Sequence, residues 1–151
     1  MLDQDTELLL ELRVPASVTG MDDVHSALAG CWISLEEVRP LEHRWRAEFS
    51  LAVAEVAANI IQHAHAPDPP LEEFTLKMSQ GPDYLKACFV DRGIVVTPPD
   101  KPVMPSVAVP YEDLGERGRG LALVDAVSDH FEYQRTTSQE NIWIILKRFP
   151  V

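Results

Sequence analysis

Positive charge is scarce in this sequence: 13 Lys and Arg stand against 24 Asp and Glu in 151 residues, a formal net charge of −11. A general DNA- or RNA-binding surface needs clustered Lys and Arg to displace counterions from phosphates, so that class of function is excluded. Any anionic ligand must be held by a local device, such as a metal ion, a helix N-terminus or one or two placed arginines. Cysteine is scarce too. Cys31 and Cys88 lie far apart in apolar stretches, which predicts two reduced core thiols, a single disulfide being the other arrangement. No apolar run approaches the roughly 18–20 residues of a membrane span. The acidic start Met1-Leu2-Asp3-Gln4-Asp5 lacks the basic head of a signal peptide, so the expected location is the cytoplasm, with no membrane partner. Internal repeats and low-complexity tails are absent.

What is present suits one folded domain over residues 1–151: 46% of residues are hydrophobic and 25% charged, enough apolar material for a core. Leu8 to Val14 reads as a strand ended by Pro15, and Met21 to Trp32 as a helix with Asp22 or Asp23 favouring its first turn. Leu41 to Ala66 holds no Gly or Pro and is the strongest helix candidate, stopping before Pro67-Asp68-Pro69-Pro70. Phe74 to Ser79 and Tyr84 to Val90 alternate around Gln80-Gly81-Pro82-Asp83 as an antiparallel hairpin. Residues 92–118 carry five prolines, which rule out a regular helix or central strand. A helix from Gly120 to Ser128 and strands over Phe131 to Thr136 and Ile142 to Phe149 complete the chain. This order predicts an α+β fold, a two-layer α/β sandwich with a mixed, mostly antiparallel sheet, rather than a doubly wound parallel sheet.

Eleven of the sixteen residues from Phe49 to Ala64 are apolar, so this helix belongs in the interior. Yet Glu55, Asn59, Gln62 and His63 follow i, i+4, i+7, i+8 spacing and share one narrow stripe. A carboxylate on a buried helix is costly unless something pairs with it, so either the stripe faces a cleft or it is a solvent-facing polar edge. A carboxylate one turn from an amide oxygen suits a hard cation such as Mg²⁺ and activation of a nearby hydroxyl or water. Zinc is the weaker reading of His63-Ala64-His65, because i and i+2 positions on a helix face different ways and no further ligand sits at the right spacing.

Two glycine motifs follow. Asp91-Arg92-Gly93 comes directly after the apolar run Ala87 to Val90, which puts Asp91 at a strand end where it can accept a ligand hydrogen bond or cap a turn. Gly115-Glu116-Arg117-Gly118-Arg119-Gly120-Leu121 leads into a helix. Its glycines permit close approach of phosphate, and the first free amides of that helix carry positive partial charge.

Taken together, E-x-x-x-N on a helix, D-x-G after a strand and G-x-G-L opening a helix resemble the GHKL ATPase superfamily, and within it the anti-sigma-factor serine/threonine kinases. Ala54 to Ala64 is similar to that family's N box, Asp91-Arg92-Gly93 to its first glycine box, and Gly118 to Leu123 to its second. The resemblance implies the Bergerat ATP-binding fold, with ATP and Mg²⁺ as cofactors and a Pro-rich lid over about residues 95–118. It implies that Asn59 coordinates Mg²⁺, that Glu55 is the catalytic base and that His63 lies near the nucleotide. It further implies that Asp91 accepts from the adenine amino group beside Gly93, and that Gly118, Arg119, Gly120 and Leu121 meet the phosphates at the helix start. One departure is Val95, which stands where the family's D-x-G-x-G pattern has its second glycine; a β-branched residue there restricts the backbone.

The function so implied is an ATP-dependent protein serine/threonine kinase and anti-sigma factor. Its partners would be an STAS-domain anti-sigma-factor antagonist as substrate, a sigma factor, and a second copy of the chain in a homodimer. The alternative is a nucleotide-dependent binding regulator without kinase activity, which Val95 favours. The ATP-binding half of a histidine kinase is a third reading, and no phosphoacceptor helix is recognisable ahead of the domain.

Overall fold

The computed structural model describes residues 6–94 and 115–150, with the side chains of 115–119 excepted. The elements run β1 (Glu7–Pro15), α1 (Val18–Glu36), α2 (His43–Gln62), β2 (Glu73–Gln80), β3 (Tyr84–Asp91), α3 (Gly115–Val127), β4 (His130–Arg135) and β5 (Asn141–Arg148). The strands form one five-stranded sheet in the order β1-β2-β3-β5-β4, and every neighbouring pair is antiparallel. The fold is therefore α+β, as the pattern of elements predicts, and the sheet is antiparallel rather than mixed among the described residues. The expected lid lies almost wholly outside them.

The sheet buries one face. On β2 the inward residues are Phe74, Leu76 and Met78; on β3 they are Leu85, Ala87, Phe89 and Asp91; on β5, Asn141, Trp143 and Ile145. The period of two leaves Cys88 on the other face, half-buried, so only Cys31 is the core thiol that the sequence suggested for both; both are free. Helix α1 turns Val24, Leu28, Cys31 and Leu35 toward the same core, the spacing of one helical face. It begins at Val18, three residues before the expected start, so Asp22 and Asp23 lie beyond its first turn.

Helix α2 is the central beam. Phe49, Val53, Val56 and Ala57 are fully buried, each large side chain contributing about 1.5–3 kcal/mol by leaving water. Trp45 Nε1 donates to the Arg148 carbonyl at 2.7 Å, which ties the start of α2 to the end of β5. Lys147 Nζ reaches the Val127 carbonyl at 2.5 Å and lies 3.4 Å from Glu48 Oε1, joining β5, α2 and the C-terminus of α3. Helix α2 ends at Gln62, four residues short of Ala66, where the His63 backbone leaves helical geometry. No helix among the described residues is long and apolar enough to cross a membrane.

Candidate functional site

The site forms at one end of the sheet, where antiparallel register places Asp91 of β3 opposite Asn141 of β5 and Arg135 of β4 opposite the same Asn141. Asp91 is 5% exposed. Its Oδ1 accepts from Gly93 N–H and from Asn141 Nδ2, each at 2.8 Å, and its Oδ2 accepts from Trp143 Nε1 at 2.9 Å. Three of the roughly four acceptor positions of the carboxylate are thus taken by the protein itself. Gly93 is required for this turn, because a Cβ at that position would lie 2.9 Å from Asp91 Oδ1.

Asn141, 1% exposed, uses its whole hydrogen-bonding capacity. Besides Asp91, its Nδ2 donates to the Ile94 carbonyl at 2.8 Å, while its Oδ1 accepts from the Tyr133 hydroxyl at 2.5 Å and Arg135 Nη1 at 3.0 Å. Arg135 Nη1 also donates to the Gly93 carbonyl at 2.7 Å. The β4–β5 hairpin therefore clasps the Asp91-Arg92-Gly93-Ile94 turn through side chains. Sequence reasoning missed Asn141, Trp143, Tyr133 and Arg135. The available signal was an Asn on the inward face of the otherwise apolar strand Asn141-Ile142-Trp143-Ile144-Ile145.

Helix α2 brings the polar stripe to this end of the sheet. Asn59 and His63 line one cavity with Ile60, Leu71, Asp91, Gly93, Ile94, Asn141 and Trp143. Asn59 is 6% exposed, and its buried Nδ2 has no hydrogen-bond partner among the described residues. Glu55, one turn earlier and half-buried, lies against α3: a Cβ built on Gly120 would stand 2.5 Å from Glu55 Oε2. Gln62 instead points to solvent near the end of α2, so the stripe that reaches the site is Glu55, Asn59 and His63.

Helix α3 begins at Gly115, so Gly118 and Gly120 lie inside it rather than at its start. The amides without intrahelical acceptors belong to its first turn, residues 115–118. Gly118 and Arg119 are placed on α3 by backbone alone. Leu121 is 7% exposed and packs in the core, which leaves only its main chain for a ligand.

The carboxylate and carboxamide oxygens of Glu55 and Asn59 are hard donors of the kind Mg²⁺ prefers, and Gly120 keeps the wall beside them thin. Among the described residues, no three His, Cys, Asp or Glu side chains are grouped to hold a metal by themselves, so a divalent ion there would need ligand oxygens from elsewhere. Glu55 and Asn59 fit a divalent ion only together with a ligand that brings oxygens of its own. The cavity beside Asp91 and Trp143 measures about 10 Å³, room for one water, against roughly 300–1,000 Å³ for small-molecule pockets, so a base does not fit there in this conformation.

Glu55 and Asn59 on α2, Asp91 at the end of β3 and Gly120 on α3 thus come together at one end of the sheet. The chain belongs to the histidine kinase-like ATPase domain family, whose model matches residues 15–146. No curated protein matches its sequence. Among solved structures it is similar to a chain of the SiaB–SiaC complex from Pseudomonas aeruginosa, with a TM-score of 0.58 and 14% identity. That likeness covers 94% of this chain and 91% of the other, and it establishes the shared fold.

Proposed function

We propose that the protein is an ATP-dependent protein serine/threonine kinase of a partner-switching pathway, phosphorylating a small STAS-domain antagonist and acting as an anti-sigma factor. One observation carries this reading: Glu55 stands against Gly120 one helical turn from Asn59, whose buried Nδ2 has no partner among the described residues. A buried polar group left unsatisfied costs about 1–3 kcal/mol, and a ligand in the cleft relieves that cost. Bound Mg-ATP supplies the transferable phosphoryl group and the divalent charge that offsets its anionic oxygens. Asn59 would hold the metal, and Glu55 would orient the substrate hydroxyl and take its proton as the oxygen attacks the γ-phosphorus and the bond to the departing ADP breaks. Local neutralisation at the cleft reconciles an anionic ligand with a chain of net charge −11.

The structure that this chain resembles is of a protein in complex with another, which supports a role exercised through a protein partner. On the same reading the whole chain, residues 1–151, acts as one cytoplasmic domain and pairs as a homodimer. A second reading, a nucleotide-dependent binding regulator that transfers no phosphate, is favoured by Val95 at the place of the second glycine in the D-x-G-x-G pattern.

Incubation with Mg-ATP and an STAS-domain partner separates the two. The kinase reading expects phosphoserine or phosphothreonine on the partner, lost in Glu55→Gln, and nucleotide binding whose Mg²⁺ dependence disappears in Asn59→Ala. Undiminished transfer by Glu55→Gln refutes the role of that residue. Nucleotide binding without any transfer by the wild-type chain establishes the regulator instead.

A further inference from the structure

We infer that the face of the sheet opposite the helices is a dimer interface, on which a second copy of this chain lies with its β3 over β5 of the first. The inference rests on the homodimer proposed above, gives it a surface, and does not depend on the kinase chemistry. It begins with β5. The run Ile142-Trp143-Ile144-Ile145-Leu146 is apolar on both faces, the pattern of a strand covered on both sides, whereas a strand with one wet face alternates apolar and polar residues. Trp143 and Ile145 point into the core beneath the helices. Ile142, Ile144 and Leu146 point the other way, and register sets Val90 beside Ile142 and Cys88 beside Ile144. All five are half-buried and form one apolar strip along the middle of that face.

The flanks of the strip are polar, and they complement each other. Strand pairing puts Lys77, Cys88, Ile144 and Glu132 in one row across the sheet, and Thr75, Val90, Ile142 and Gln134 in the next. A two-fold axis running along the strands between β3 and β5 turns each row over onto itself, so that β2 of one copy meets β4 of the other. Cys88 then faces Ile144 and Val90 faces Ile142 across the sheet spacing of about 10 Å. Lys77 faces Glu132, and Thr75 faces Gln134. In the remaining row Lys86 lays its apolar stem against Leu146. Lys77 now lies 3.6 Å from Glu11 with both side chains about half exposed, a surface pair weak enough to re-form across an interface. A groove of about 520 Å³ over Thr75, Lys77 and Val90 leaves room for the β4 side chains of the second copy. Five strands about 4.8 Å apart and about 27 Å long present roughly 600 Å². Two such faces bury roughly 1,200 Å², above the roughly 1,000 Å² that a specific interface needs.

The test uses the full chain. Sedimentation at about 50 µM is expected to show a dimer, because interfaces of this class associate at micromolar concentration or tighter. Ile144→Lys puts a charge at the centre of the strip, weakens association about 100-fold and sediments as a monomer. Lys77→Glu and Glu132→Lys each set like charges opposite one another and weaken association about tenfold, and the double variant recovers it. Cys31 is buried, so a thiol reagent reports on Cys88, which is expected to react slowly in the wild-type dimer and quickly in Ile144→Lys. The charge swap serves alone should Ile144→Lys not fold. A dimer that none of these changes weakens, or in which Cys88 reacts as fast as in Ile144→Lys, overturns the sheet-face interface and leaves the homodimer standing. A double variant no better than either single one overturns the pairing of β2 with β4. A wild-type chain that is monomeric at about 50 µM overturns interface and homodimer together, while phosphoryl transfer to the STAS-domain partner tests the kinase reading separately.

Discussion

Gly120→Ala isolates the contact between α3 and Glu55. The new Cβ would lie 2.5 Å from Glu55 Oε2 and 3.5 Å from Glu55 Cδ, whereas nonbonded atoms settle near 3.5–4 Å, so the carboxylate must retreat by about 1 Å. The group in the way is the far end of a flexible side chain, and a change of its torsions costs about 0.5–1.5 kcal/mol. Against this, Ala is preferred over Gly inside a helix by about 0.8–1.0 kcal/mol. The two nearly cancel, so unfolding stability in urea should move by less than about 1 kcal/mol with an unchanged m-value. Function responds differently. A displacement of about 1 Å at a reacting group costs on the order of 100-fold in rate, so phosphoryl transfer measured in single turnover should fall by one to two orders of magnitude. Transfer within twofold of wild type would refute the claim that Gly120 sets the position of Glu55. A stability loss above about 2 kcal/mol would show that the Cβ meets something rigid.

Two further outcomes follow from the core and the clasp. Asn141→Ala removes four hydrogen bonds at once and leaves Asp91 Oδ1 one donor short; a loss of about 2–4 kcal/mol is expected in urea unfolding, and a loss below 1 kcal/mol contradicts a structural role for the clasp. Burial pushes the Cys31 thiol up to about 11 from its ordinary 9.0. Between these values the native thiol keeps a proton that the unfolded one releases, so the stabilising contribution is complete below pH 9 and lost as pH rises through about 11. The loss is on the order of 2 kcal/mol, visible as urea midpoints that drop from pH 8 to pH 11 less steeply in Cys31→Ala than in wild type.

The sequence by itself determined the features that repeat over short distances. The hairpin over β2 and β3 was legible because Phe74, Leu76, Met78 and Leu85, Ala87, Phe89 alternate around a Gly-Pro turn. The juxtaposition of Glu55 and Asn59 was legible because a helix has a fixed pitch. Asp91 could be placed at a strand end from the apolar run before it. Tertiary structure decided what depends on partners far along the chain. Cys88 faces away from the helices because the register of β3 turns Ala87 and Phe89 to the core, and Gln62, still on α2, lies on the solvent edge of the stripe while His63, just past the helix end, lines the cavity. Nothing in the spacing of Asn141 and Trp143 announces Asp91, fifty residues earlier. They meet it because β5 pairs antiparallel with β3 in one register, and register is chosen by burying an entire strand face rather than by any residue within it.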